Sequence, residues 1–201
     1  MNVKHKQSGF SLFIVLVLML VIAFLVIATN QASLTEVRAS ANEADRKLAL
    51  SRAEYSLRDA EAIIKEEALK PAGTGKMTFT DNCDKGFCKP AEKTYDPSRA
   101  KEPFAYSGNS GKESKVEAWK RCSDDISKAC QSGETVLDNN KQSTRVDNDG
   151  KRSYIIEYLG VAQTPTSTGD EREIFRITAQ AHGDNEDTRV ILQSYVELTR
   201  D

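Results

Sequence analysis

The chain has 201 residues, room for one domain or two, with one the expected number. A formal net charge of -2 gives no argument for an acidic or nucleic-acid partner, and no Lys/Arg cluster interleaved with aromatics forms a DNA- or RNA-binding stripe. The mean hydropathy of -0.52 conceals an uneven distribution, with apolar residues crowded near the N-terminus and a remainder polar enough for a water-exposed domain.

Lys4 and Lys6 precede a window from Gln7 to Thr35 that holds no charge, and the first charge after it is Glu36. Inside the window, FSLFIVLVLMLVIAFLVIA at 10–28 is an almost unbroken apolar run. At 1.5 Å per residue it reaches ~28 Å, enough to cross a hydrocarbon core. Positive residues stay cytoplasmic, so the expected orientation is N-terminus in and C-terminal domain out. The run is too long for an ordinary secretory signal, and no A-x-A-like site closes it.

Neither Gly nor Pro occurs from Phe10 to Lys70, which predicts one helix over 10–70, ~90 Å long. Its first half is greasy enough for lipid. In the second half Val37, Ala41, Ala44, Leu48 and Tyr55 recur at three- to four-residue steps and mark an apolar packing face. Glu43 with Lys47 and Glu54 with Arg58 make i,i+4 pairs on exposed surface. The charge-dense stretch at 54–70 reads as a solvated helix face. Pro71, Gly73 and Gly75 supply the stop.

Residues 71–150 are rich in Gly, Asp, Asn, Ser and Lys and read as loops with short elements. All four cysteines, Cys83, Cys88, Cys122 and Cys130, lie beyond the apolar run, which fits disulfides formed in an oxidising compartment rather than zinc or redox chemistry. Short separations favour Cys83–Cys88, closing a turn at CDKGFC, and Cys122–Cys130. Four cysteines permit three pairings, a crossed one included. Ser114 to Glu117 has capping-box form and predicts a short helix through Trp119 to Cys122. Trp119 reads as a packing residue.

The last fifty residues alternate. Strands are predicted at 153–161, 173–181 and 189–198, with Phe175, Ile177, Ala179 and Ala181 on one face of the second and Val190, Leu192, Val196 and Leu198 on one face of the third. Gly183 to Asp187 is the turn between them. An apolar face opposite a polar one predicts antiparallel strands covering the Val37–Leu48–Tyr55 stripe. The expected fold class is α+β: a long N-terminal helical spine, membrane half plus amphipathic half, with a C-terminal antiparallel sheet packed on its outer half.

Signatures of catalysis are missing. The histidines are His5 and His182, too few for a triad or a multi-His metal site. Cys83 and Cys88 do not form C-x-x-C, and no phosphate loop or G-x-S-x-G elbow occurs. Asp147-Asn148-Asp149-Gly150 resembles part of a calcium loop, but an EF-hand register would place Arg145 and Ile156 at ligand positions. A solvated turn is the expected reading, with calcium of another kind left open. No cofactor is implied, and an enzyme is not expected.

Lys4-His5-Lys6-Gln7-Ser8-Gly9-Phe10 resembles a prepilin leader: a short basic peptide, a Gly, then a Phe opening the apolar run. The resemblance implies cleavage by prepilin peptidase between Gly9 and Phe10 and methylation of the new N-terminus at Phe10, giving a leader at 1–9, a pilin helix at 10–70 and an extracytoplasmic domain at 71–201. Most pilins carry Glu at mature position five, and here that position is Ile14. The segment at 41–58, ANEADRKLALSRAEYSLR, is similar to minor pilins of the PilX/PilK kind, some of which also lack the Glu. The similarity is specific from Gly9 to about Glu61 and extends loosely to YIIEYLGV and ILQSYV in the last strands.

That resemblance implies a type IV pilus subunit that helps to initiate or complete assembly; the missing Glu suits a place at the filament tip, the favoured reading, the alternative being a subunit that docks less stably and is sparse in the fibre. It would begin as a single-pass inner-membrane protein and end in the fibre. Implied partners are the major pilin and other minor pilins through their N-terminal helices, prepilin peptidase, the inner-membrane assembly machinery and the membrane itself; nucleic acid is not predicted. The alternatives are an adhesion or binding module displayed from 71–150, a type II secretion pseudopilin, and a plain anchored periplasmic protein. The pseudopilin lacking the Glu is a larger protein with an inserted domain.

Overall fold

The structure, a computed structural model, describes residues 10–69, 77–94, 104–107, 115–123, 125, 127–131, 134–138, 144–145, 150–163 and 171–199. The leader residues Lys4, Lys6 and Gly9, the helix stop at Pro71, Gly73 and Gly75, and Asp147, Asn148 and Asp149 of the candidate calcium turn lie outside the described residues. One helix, α1 (Phe10–Ala68), accounts for the N-terminal third. Contacts divide the chain after Ala44.

In the first unit the described side chains from Phe10 to Ala44 are all exposed. The helix is long and apolar enough to cross a membrane. At the end of the apolar run the Thr29 hydroxyl donates back to the Leu25 and Val26 carbonyls at 3.0 Å each, so it is satisfied without water.

The second unit starts at Asp45 and, among the described residues, contains the rest of α1 with seven strands: β1 (Met77–Phe79), β2 (Phe87–Cys88), β3 (Phe104–Tyr106), β4 (Thr144–Arg145), β5 (Arg152–Gln163), β6 (Glu171–His182) and β7 (Arg189–Thr199). The main sheet runs β2-β5-β6-β7 with β4 also on β5; β5, β6 and β7 are antiparallel neighbours and β2 joins β5 in parallel. β1 and β3 form a separate parallel pair. A bulge interrupts β5 between Tyr158 and Gly160, where Gly160 has φ 96°, a conformation that favours glycine. The Tyr106 hydroxyl donates to the Tyr158 carbonyl at 2.9 Å beside this bulge.

One sheet face meets α1. Ala60 and Ile64 of the helix pack with Met77, Phe79, Phe104 and the inward residues of β5 and β6. Four aromatics fill the centre, Phe104 meeting Phe175 edge-on with centroids 4.8 Å apart and Tyr158 stacking on Phe175 at 5.1 Å.

The helix face differs from the expected stripe. Leu48 and Tyr55 are 37 % and 52 % exposed and do not carry the sheet. Ala49, Ala53, Ser56, Ala60 and Ile64 are fully buried instead. The physical reason is the close approach that small side chains allow; large residues on the packed face would hold the strands off. Val37, Ala41 and Ala44 lie in the first unit, where they are exposed.

The opposite sheet face is not solvated as its polarity suggested. Arg176, Thr178 and Gln180 of β6 and Ser153 and Glu157 of β5 are buried. A second core of Cys83, Cys88, Ala118, Val136, Leu137 and Ile155, with Trp119 against it, lies in this part of the unit. Arg176 and Glu157 survive there because they pair with one another, and Gln180 donates to Asp138. Around Trp119 the expected helix shrinks to one 3-10 turn, Ala118–Lys120, with no side-chain cap from Glu117; Ser114 lies outside the described residues. The Glu117 carboxylate is engaged by Arg176 instead.

Candidate assembly surface

Among the described residues no cluster of His, Cys, Asp or Glu is placed to hold a metal ion. Ile14 sits in α1, whose first turn carries no acidic residue, and is 45 % exposed among neighbours such as Phe13 and Leu18 that are likewise exposed. An apolar helix bare over this length is stable only in lipid or against other helices, since its exposure to water would cost on the order of tens of kcal/mol.

Where the globular unit begins, Asp45 holds the β6–β7 turn. Its Oδ1 accepts the Asp184 N–H at 2.6 Å and the Asn185 N–H at 3.4 Å. The Thr188 hydroxyl and the Asp184 N–H keep the Asp45 carboxyl below the usual carboxylate range. A Cβ on Gly183 would run into that carboxylate, so any larger residue there would have to displace the Asp45 side chain. Two turns further along α1, Arg52 donates to the His182 carbonyl at 2.9 Å and to Asp184 Oδ1 at 3.0 Å, and Lys151 reaches the same Asp184 oxygen at 3.1 Å. Lys151 and Arg52 hold the Asp184 carboxyl down in turn.

The loop-rich region is tied in two ways. Cys83 pairs with Cys88 and Cys122 with Cys130, Cα atoms 4.0 and 4.7 Å apart, leaving no free cysteine. Cys83 and Lys85 both adopt positive φ in the first of these turns, and the Asp84 N–H is capped by the Thr80 hydroxyl at 2.9 Å. The second tie is electrostatic. Arg176 clasps Glu157, its neighbour across the β5–β6 ladder, through Nε at 2.7 Å and Nη2 at 2.8 Å, and also bonds Glu117 from the loops. Burial pushes the Glu157 carboxyl up, and for Arg176 the adjoining Glu157 overcomes burial and raises the guanidinium. Arg121, also fully buried, donates to the Val116 and Asp81 carbonyls.

The structure thus places the four cysteines as two local pairs and leaves Ile14 and the Val37–Tyr55 stripe on the surface. Sequence reasoning missed the roles of Asp45, Gly183, Glu117, Glu157 and Arg176. For Glu157 and Arg176 the available signal was one opposite charge within each of the apolar stretches SYIIEYLGV and IFRITAQA.

A long apolar helix whose continuation carries a mostly antiparallel sheet, with loops stapled by disulfides, defines a pilin-class filament subunit. Residues 84–198 match the family model for the C-terminal part of the type IV pilus assembly protein PilX, and residues 8–58 match that for the PilX N-terminal region. The chain belongs to this PilX family of type IV pilus minor pilins, whose members are structural pilus components. No curated protein and no solved structure matches it.

Proposed function

We propose that this minor pilin starts the fibre, standing at its tip with other minor pilins. After cleavage between Gly9 and Phe10 and methylation of Phe10, its helix leaves the inner membrane and is reburied among the helices of neighbouring subunits. Ile14 carries this reading. In the pilin family the Glu of an incoming subunit neutralises the N-terminal amine of its predecessor inside an apolar core, where an unpaired charge is costly. With Ile14 the chain has no carboxylate to offer a predecessor, while its own amine still accepts one from the next subunit. A subunit able to be followed but not to follow belongs at the beginning.

The test is Ile14→Glu together with the N-terminal residue of the mature protein. N-methylated Phe10 is expected, and the Glu variant should enter the shaft and rise several-fold in copy number in sheared fibres. An uncut Met1 would overturn processing, and an unchanged copy number would overturn the tip position.

A further inference from the structure

β7 closes the sheet order: it pairs with β6 on one side, and no described strand pairs with its other edge. Such an edge offers a row of backbone N–H and C=O groups to another chain, and proteins blunt it with lysine, proline or a bulge. β7, RVILQSYVELT, has none of these over 11 residues and runs in unbroken register with β6. Arg189, Ile191, Gln193, Tyr195 and Glu197 stand exposed on one face. Tyr195 is 61 % and Ile191 36 % exposed, two of the few large apolar side chains left bare among the described residues of the globular unit.

We propose that this edge takes β7 of a second copy of the chain, antiparallel, about a two-fold axis through Gln193. In that register Arg189 faces the other copy's Glu197 at both ends, Ile191 faces Tyr195 twice, and Gln193 faces itself. Opposite charges and aromatic–β-branched pairs are the favourable cross-strand combinations, and like charges directly opposed are unfavourable. A two-fold contact keeps equivalent faces on one side, so the register slides only in steps of two. One step sets Glu197 against Asp187; the other sets it against Ile191. The central register alone matches charge with charge. Glu197 already bonds Arg172 at 3.0 Å in an exposed pair of small worth, and Arg189 lies at a loose 3.9 Å from the half-buried Asp138, so both groups have bonding capacity left for another partner.

The setting rests on the minor-pilin reading. An isologous contact closes on itself, whereas a fibre grows head to tail, so the pair belongs to the membrane-resident pool before extraction. Pairing would cover the edge while the subunit waits.

Because all four cysteines are paired, Gln193→Cys in the full-length chain introduces the sole free thiol. In membranes of cells with fibre assembly disabled, mild oxidation should convert most Q193C chains to a covalent dimer, since opposed Cβ atoms lie ~5 Å apart. Thr199→Cys, on the same face, would sit about 40 Å from its own copy and should remain monomeric. Adding Arg189→Glu should cut the Q193C adduct several-fold, and adding R189E with E197R should restore it. Equal cross-linking at 193 and 199, an adduct with a different protein, or no recovery in the double exchange overturns the proposal. Piliation plays no part in these readouts, so failure of the self-pairing and failure of the fibre-initiation reading are separate results.

Discussion

Asp45 and Gly183 form a pair in which each explains the other. The carboxylate occupies the space a side chain at 183 would fill, and the backbone N–H groups of Asp184 and Asn185 close on it. Gly183→Ala is expected to destabilise the globular unit by ~1–3 kcal/mol through overpacking. In an Asp45→Ala background the same change should cost much less, because the clashing group is gone. Chemical denaturation of the four proteins of this cycle checks the coupling; additive effects would refute the contact. The same site carries a pH dependence. Asp45 and Asp184 both have carboxyls held below their ordinary value, so their contribution is fully present above the unfolded-state carboxylate range, near ~4, and is lost as acidification passes through the lowered folded values. Amide exchange at Asp184 and Asn185 should accelerate there before the main sheet opens.

At the scale of elements, α1 has two sides with different rules beyond Asp45. The buried side is small, Ala49, Ala53 and Ala60, so that the strands approach closely, while Leu48, Leu50 and Tyr55 stay exposed. Ala53→Leu should destabilise by ~1–3 kcal/mol, and Leu48→Ala should stay within about 0.5 kcal/mol in the isolated subunit. Thermal unfolding of the two variants distinguishes the observed face from the stripe expected of hydrophobicity alone; the opposite order would reverse the assignment. The helix itself was legible because 61 positions without Gly or Pro leave little alternative, and β5 to β7 were legible because apolar residues alternate. The packed face was not, because a hydrophobic periodicity weights large residues whereas close helix–sheet contact selects small ones. Nor was the second covered face of the sheet. Arg176 and Gln180 look solvated one at a time, and only their partners Glu157, Glu117 and Asp138 make burial tolerable. Those partners are distant in sequence, and two of them lie in a loop region whose fold has little periodicity to read.

Across the globular unit the sheet is a middle layer, with α1 on one face and the disulfide-bearing loops on the other. The aromatic core holds the first pair of layers by apolar burial. The second pair has a smaller apolar core and depends more on cross-layer bonds, of which Arg176 makes the central set by joining Glu157 in the sheet to Glu117 in the loops. Removing one partner of a buried pair leaves an uncompensated charge, so Arg176→Met should destabilise by roughly 3–5 kcal/mol. Replacing both ladder partners, Glu157→Leu with Arg176→Met, should recover most of that global loss, because two apolar groups in the same place leave nothing unpaired. The double variant should still have lost the tie to Glu117. Hydrogen exchange then separates the layers: amides at 117–122 and 134–138 should open faster than in the native chain, while β5, β6 and the buried helix face keep their protection. Uniform acceleration across the unit would mean that the charge set supports the whole fold rather than the attachment of its outer layer.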